Sequence, residues 1–333
     1  MRCDLVGVLE AAYDLQGDDG PWLAKVLTAA QPALDRGMGV AAYFFAVDRR
    51  FAIKVTGHVA RGIVVPPAAV RDSIEALPAE MIRSIYFDAP PCSTVAAAFR
   101  HSLRREETYK RELRQHVDVP DFLGLRGNSA PREGAILNAP LQSMGPPPPR
   151  EAMLLSRLAS HVGAGLRLRR RLRAEQARLD DAEAILEPDG KIAHAAGPAE
   201  PRAARGALAG AAQAVDRARG KLRRADPEEA VGLWRALVVG RWSLVDHFDH
   251  DGRRYLVAHK NQLQDPSLHI KSLSEREQQA ASLAALGHSN KLIAYDLGIS
   301  LSAVSDYLAR AARKLGTTSR TGLVQAMRAV PEK

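Results

Sequence analysis

Cysteine is scarce in this chain: Cys3 and Cys92 are its only two. Two thiols so far apart argue against a disulfide framework and suit a reducing compartment. Cys92 reads as a small buried hydrophobe, ahead of a redox or metal-binding role. No apolar run approaches the ~20 residues that a bilayer-crossing helix needs. The opening MRCDLVGVLEAAYDLQGDD lacks the charged-then-apolar plan of a secretory leader. A cytoplasmic protein without a membrane partner is therefore expected. Catalytic signatures are missing as well: there is no P-loop, G-x-S-x-G, H-E-x-x-H or G-x-G-x-x-G. Gly163-Ala164-Gly165 sits in a helical pattern and lacks the third glycine. His58, His101, His116 and His161 are scattered without ligand spacing. His247, Asp249, His250 and Asp251 crowd a hairpin tip, but strand alternation sends them to opposite faces. The expectation is no enzyme, no metal and no cofactor.

Positive charge is present in excess. The chain of 333 residues carries a net charge of +9, which favours an anionic partner. The surplus is uneven. Residues 271–333 hold nine Lys/Arg against five Asp/Glu, and residues 150–179 hold eight against two. Such a length predicts two or three domains.

Taken in order, the pattern is mixed. A helix is expected from about Asp19 to Asp35, with Trp22, Leu23, Val26, Leu27 and Leu34 on one side. GVAAYFFAVD (39–48) and RFAIKVTG (50–57) read as strands, rich in aromatic and β-branched residues. Pro66-Pro67 opens a helix to about Leu77, and a mostly helical region runs on to His116. DFLGLRGNS (121–129) and EGAILNAPL (133–141) form a second strand pair. Tyr43, Phe44 and Phe45 with these strands suggest a cavity for a small apolar or amphipathic ligand, or simply a filled core. The run Pro146–Pro149 marks a boundary. A long basic helix follows over 150–179, with Leu155, Leu158, Val162, Leu172 and Leu179 at roughly heptad spacing. Gly165, Arg169 and Gln176 interrupt that seam, so pairing with a second copy and simple closure of the first domain both remain open. The cluster Arg167–Arg173 is a further candidate for nucleic-acid contact. Residues 182–197 read as a small hairpin, 200–224 as helix, and Asp226-Pro227 as the start of another. A closing hairpin is expected around Asp251-Gly252 over 240–262. Mixed strands and helices in this order argue α+β.

The densest signal lies at Lys271–Met327. Ser274 and Glu277 form a capping box, and Gly287 ends that helix. Ser289 caps a second helix, and Gly298 supplies the turn after it. Ser300 caps a third helix to about Leu315, and Thr318 or Ser319 opens a fourth. In the third helix Val304, Tyr307, Leu308, Ala311 and Leu315 make one apolar stripe. The opposite face presents Ser302, Ser305, Asp306, Ala309, Arg310 and Arg313. A polar and basic helix held by a tight turn against its predecessor suits a DNA major groove.

This stretch resembles the LuxR-type (NarL-type) helix-turn-helix domain. The resemblance rests on Leu273-Ser274, Arg276-Glu277, Gly287, Ser289-Asn290-Lys291, Ile293-Ala294, Leu297, Ile299-Ser300, Val304, Lys314-Leu315-Gly316 and Ser319-Arg320. It departs from the family where Ala280 and Ala281 replace larger apolar residues and where Leu292 replaces a Glu. The resemblance implies base-facing residues at Ser302, Ser305, Asp306 and Ala309. It implies phosphate contacts from Asn290, Lys291, Ser300, Arg310, Arg313, Lys314 and Arg320. None of the base-facing residues is long and basic, and Asp306 would repel phosphate unless it accepts from a cytosine amino group.

Residues 1–145 together with the helix that follows resemble a GAF-like sensor domain, through the helix–strand–strand opening with Ala42-Tyr43-Phe44, the late strand pair and the closing LASHVGAGLRLRRRL. Residues 181–265 resemble a PAS-like fold. The expected organisation is thus a GAF-like domain (1–145), a proline boundary and linker or dimerisation helix (146–180), a PAS-like domain (181–265) and an all-α reader (266–333). Asp48 ends a strand, but no acidic pair precedes it, which argues against a phosphoacceptor domain. The implied function is a sequence-specific transcription regulator acting as a homodimer. Its partners would be double-stranded DNA, a small-molecule ligand in the N-terminal domain and RNA polymerase. The alternative is a scaffold protein whose degenerate reader binds DNA weakly or not at all.

Overall fold

The structure, a computed structural model, describes residues 3–63, 67–99, 107, 111, 119–175, 182–261, 270 and 272–329. Its first sheet is built from β1 (Val40–Val47), β2 (Ile53–Arg61), β3 (Cys92–Thr94), β4 (Asp121–Ala130) and β5 (Glu133–Leu141), in the order β2-β1-β5-β4-β3 with every pair antiparallel. Alternation along β1 sends Val40, Ala42 and Phe44 to one core and Tyr43, Phe45 and Val47 to another, so the strand is buried on both faces. Helices α1 (Leu5–Ala12) and α2 (Asp19–Leu34) cover the first face. On the second lie α3 (Pro67–Glu75) and α4 (Ala79–Arg83), which continues as a π-turn over Ser84–Asp88. A short α5 (Val95–Ala98) follows β3.

The proline run ends where expected, at Pro149, the first residue of the long helix α6 (Pro149–Ala174). This helix lies against β4 and α1. The Gly-Ala-Gly stretch makes that approach possible. A Cβ on Gly163 would stand 2.6 Å from the Asn128 carbonyl oxygen, and one on Gly165 only 2.0 Å from that of Ala12. The stripe considered as a pairing seam is taken up inside the chain: Leu155, Leu158 and Val162 are buried in the core of the first sheet. The arginines considered as a further candidate for nucleic-acid contact are engaged too. Arg169 donates to the carbonyls of Asp14, Gln16 and Gly17, Arg167 to Asn261, and Arg170 to Glu133. Desolvation makes such satisfaction obligatory for buried guanidinium groups. Gln176 and Leu179 lie outside the described residues.

A second antiparallel sheet has the order β7-β6-β9-β8, from β6 (Ala184–Leu186), β7 (Ile192–Ala195), β8 (Trp242–Phe248) and β9 (Arg254–Lys260). Helices α7 (Arg202–Arg219), α8 (Leu222–Ala225) and α9 (Pro227–Leu233) pack with it. Both sheets share one continuous apolar cluster, from Leu5 through Leu158 to Ala258. The strand β3 interrupts the region expected to be helical up to His116, much of which lies outside the described residues. At three residues, β3 is too short to show an alternation.

The C-terminal unit is all α: α10 (Glu275–Ala285), α11 (Asn290–Leu297), α12 (Leu301–Lys314) and α13 (Arg320–Ala329) around a separate core of Ala280, Ala281, Ile293, Val304, Ala311 and Leu323. Ala280 and Ala281 are fully buried there, so small residues bring the helices close. Among the described residues, no helix is long and apolar enough to cross a membrane.

Candidate nucleic-acid interface

Each helix of the C-terminal unit begins on the serine that its sequence indicates. Ser274 accepts from the Glu277 N–H, and Glu277 reaches back to the Ser274 N–H at 2.8 Å, completing the capping box. Ser289 accepts from Leu292 N–H at 3.3 Å without a reciprocal acid, as the Leu292 departure requires. Gly298 takes the left-handed conformation, φ +64°, that ends α11 and turns the chain toward α12. Ser300 then caps α12 by accepting from Ala303 N–H at 3.1 Å.

Val304, Leu308, Ala311 and Ala312 bury one face of α12, with Tyr307 and Leu315 at its margin. The other face is open: Ser302, Ser305, Asp306 and Ala309 are all exposed. Ser302 Oγ lies 2.9 Å from Ser300 Oγ, and Ser305 Oγ donates to the Leu301 carbonyl at 3.1 Å, so both hydroxyls keep accepting capacity outward. Leu301, at the first turn, is 46% exposed. Sequence reasoning passed over it. The available signal was an apolar side chain directly after an N-cap and off the buried stripe; it suits a thymine methyl group.

The basic residues divide into two sets. Arg310 Nε reaches Glu277 at 3.3 Å and Lys314 Nζ reaches the same carboxylate at 2.6 Å, locking α12 onto α10. Burial raises the Glu277 pKa, but the hydrogen bonds from Lys314 and Ser274 prevail and bring it down to about 2. Arg310 also lies 4.8 Å over the Tyr307 ring. Arg320 donates to Asn290 Oδ1 at 2.6 Å and to the His288 carbonyl, which ties α13 to the start of α11. Lys291 and Arg313 are exposed, and no ion pair engages either among the described residues. Lys291 stands at the N-terminus of α11, where backbone N–H groups and the helix dipole favour an anion.

Four capped helices, a turn of this kind and an open polar face on the third are the geometry of a helix-turn-helix reader. Residues 271–327 match the family model of bacterial regulatory proteins, luxR family. This unit is a LuxR-family helix-turn-helix domain. The family is regulatory, and its domain is a DNA-binding one. The match covers the C-terminal unit and leaves the two sheets unassigned. No curated protein and no solved structure is significantly similar to the chain.

The LuxR-family domain is seated on the rest of the chain through α10, α11 and α13, which leaves α12 open. Tyr295 is the deepest contact. Its single hydroxyl proton is shared between the Trp234 carbonyl (2.6 Å) and the Val231 carbonyl (2.8 Å), and the oxygen lies 2.5 Å from His161 Nε2, which is itself 3.0 Å from the Trp234 oxygen. Arg157 and Arg235 flank its ring at 5.1 and 5.4 Å. Tyr13 Oη lies 3.0 Å from His161 Nδ1 on the far side. Burial drives the His161 pKa down to about 3 and holds the Tyr295 hydroxyl well above its ordinary value, so both are neutral. Nothing local in the sequence marks these residues, because their partners are 61 to 148 positions away.

Proposed function

We propose that this chain is a sequence-specific, DNA-binding transcription regulator that acts as a homodimer on a two-fold operator in the cytoplasm. The observation that carries this is the open face of α12, with Ser302, Ser305, Asp306 and Ala309 outward on a helix locked in place by Glu277. Ser302, Ser305, Asp306, Ala309 and Leu301 read base edges. Lys291 and Arg313 hold phosphates, joined by Asn290, Ser300, Arg310, Lys314 and Arg320 at the edges of the face. Residues 1–145 act as a GAF-like sensor, which the sheet order β2-β1-β5-β4-β3 supports, and 181–265 as a PAS-like module. RNA polymerase is the downstream partner. One unit presents a single short helix, and pairing two of them on adjacent half-sites supplies enough contacts for specificity. A gel-shift with genomic fragments at stated salt, together with sedimentation of the free protein, tests the reading.

Asp306 and the engagement of Arg310 and Lys314 with Glu277 favour a second reading, a scaffold protein with a weak reader. In that case the gel-shift shows only salt-sensitive, sequence-blind binding.

A further inference from the structure

The second face of the first sheet encloses a cavity of about 150 Å³. Val70, Ile74, Leu77, Ile85, Phe122 and Ile136 make it mainly apolar. That volume accommodates one benzene-sized ring. Along the floor, Tyr43 pairs with Ile136 and Ile136 with Arg126, so a cross-strand row runs from an aromatic phenol to a buried guanidinium. Arg126 is 3% exposed. Its partners among the described residues are all neutral oxygens: Asn128 Oδ1 at 3.0 Å, Ile85 O at 2.5 Å, Ala89 O at 2.8 Å and Leu286 O at 2.9 Å. Burial lowers its pKa to about 10, which leaves it cationic near neutrality. The Asp88 carboxylate supports its charge from nearby but is hydrogen-bonded to Arg328, so among the described residues no carboxylate bonds Arg126 directly and the pair is incomplete.

The last of those oxygens belongs to the LuxR-family domain. Leu286 closes α10, and the next residue, Gly287, packs so tightly that a Cβ on it would stand 2.6 Å from the Ala89 carbonyl oxygen. The segment Ile85–Ala89 therefore has two faces. Ile85, Tyr86 and Ala89 wall the cavity. On the reverse side Arg328 of α13 grips Phe87 O at 2.7 Å and Asp88 at 2.5 Å. A smaller void of about 20 Å³ lies in the seam between the sheet and the C-terminal domain, and Arg126 is the one side chain that lines both spaces among the described residues.

We propose that the cavity is an effector site for a single-ring aromatic carboxylic acid, whose carboxylate draws the Arg126 guanidinium from the Leu286 carbonyl and loosens the DNA-binding domain. The proposal rests on the sensing role given above to residues 1–145 and supplies its ligand class and its route. A carboxylate offers the guanidinium two charge-assisted hydrogen bonds, stronger than those from neutral carbonyls. The ring lies over Ile136 and Tyr43. Leu286 then loses its donor, and the Ile85–Ala89 turn shifts against Gly287 and Arg328. A neutral ring fills the same space and leaves the seam closed.

The test uses the full chain with benzoate, and with toluene and benzamide as uncharged controls. Calorimetry reads binding, and hydrogen exchange over residues 283–288 reads the seam. Benzoate is expected to saturate one site per chain and to raise that exchange at least ten-fold; toluene and benzamide leave the exchange unchanged. Arg126→Gln should weaken benzoate binding ten-fold or more. Ser73→Phe, which fills the cavity from α3 and leaves Arg126 in place, should abolish it and decides the matter if Arg126→Gln does not fold. Absence of benzoate binding, binding untouched by Ser73→Phe, or binding without a change in seam exchange would each overturn the proposal. DNA binding by a chain that ignores benzoate removes the effector site alone. A chain that takes benzoate and opens its seam, yet never binds DNA, removes the regulator reading and leaves the site standing.

Discussion

The hydroxyl of Tyr295, on the second helix of the DNA-binding domain, lies 2.5 Å from Nε2 of His161, on the long helix that backs the first sheet. With Tyr13 on one side and the Trp234 and Val231 carbonyls on the other, this pair stitches four separate parts of the chain into one buried polar junction. A junction of this kind is stabilising when every member is satisfied and costly when one is removed. Tyr295→Phe keeps the ring and deletes the hydroxyl shared by the Val231 and Trp234 carbonyls, of which Trp234 keeps His161 Nε2 at 3.0 Å. It should lower global stability by about 1–3 kcal/mol, the cost of removing one member from a buried hydrogen-bonded network. Because the C-terminal domain has its own core, α12 should keep its fold while hydrogen exchange rises along the seam. Unchanged thermal stability in Tyr295→Phe would mean that the junction contributes nothing.

The same junction sets a pH dependence. The folded-state pKa of His161 is about 3, below its ordinary 6.5, because burial penalises the imidazolium. Its contribution is therefore complete above pH 6.5 and is lost as pH falls toward 3. His259, partly buried and lowered to about 4 by desolvation, works in the same direction, and Glu277 adds its own loss between about 4.5 and 2. Denaturant unfolding should show stability declining steadily below pH 6.5. In His161→Gln the decline between pH 6.5 and 4.5 should shrink; an identical profile would contradict the burial argument.

Salt dependence separates the two sets of basic residues. Lys291→Ala and Arg313→Ala should weaken DNA binding alike on all sequences and lower the salt slope by about 0.9 each, one counterion per phosphate contact. Their thermal stability should stay put. Arg310→Ala and Lys314→Ala break contacts to Glu277, which is almost fully buried, and should destabilise the domain as well as reduce affinity. Equal stability losses in all four variants would remove the distinction.

Much of this domain was legible in sequence. Serine caps, the capping box and the glycines after α10 and α11 act within a few residues, so spacing alone located all four helices. The strands of the first sheet were legible for a similar reason, since β-branched and aromatic runs bounded by turn residues signal themselves. What could not be read was the assignment of long helix α6. Leu155, Leu158 and Val162 at roughly heptad spacing serve a sheet as well as a partner helix, and periodicity records only that one face is apolar. The engagement of Arg310 and Lys314 was hidden similarly: a basic residue on a helix looks the same whether it meets phosphate or a glutamate 33 or 37 positions earlier. The seam around Tyr295, Arg126 and Gly287 depends wholly on contacts distant in sequence.

Gly287 tests that seam from the other side. It ends α10 at φ +84°, a conformation that costs an alanine about 1 kcal/mol or more. Its missing Cβ also permits the contact with Ala89. Gly287→Ala should therefore lower stability and raise exchange at Ile85–Ala89 together. A loss confined to the C-terminal domain would show strain without coupling.

Asp306 probes readout. It is exposed on the outward face of α12, where on the proposed binding mode it would face the phosphates of any duplex. Asp306→Asn keeps the shape and removes the charge. It should tighten binding to random DNA while costing about 1–3 kcal/mol of discrimination at one C·G position. Unchanged affinity and unchanged preference would place Asp306 away from the bases.

The central claim, that α12 reads DNA sequence, meets its most direct test in one titration. Fluorescence anisotropy of the full chain would compare a selected duplex with a random one between 50 and 200 mM salt. We predict a steep linear fall of log K with log salt on both, and a preference for the selected duplex of roughly a thousand-fold or more. Equal affinity for the two duplexes at every salt concentration, or no binding to either, would contradict the account.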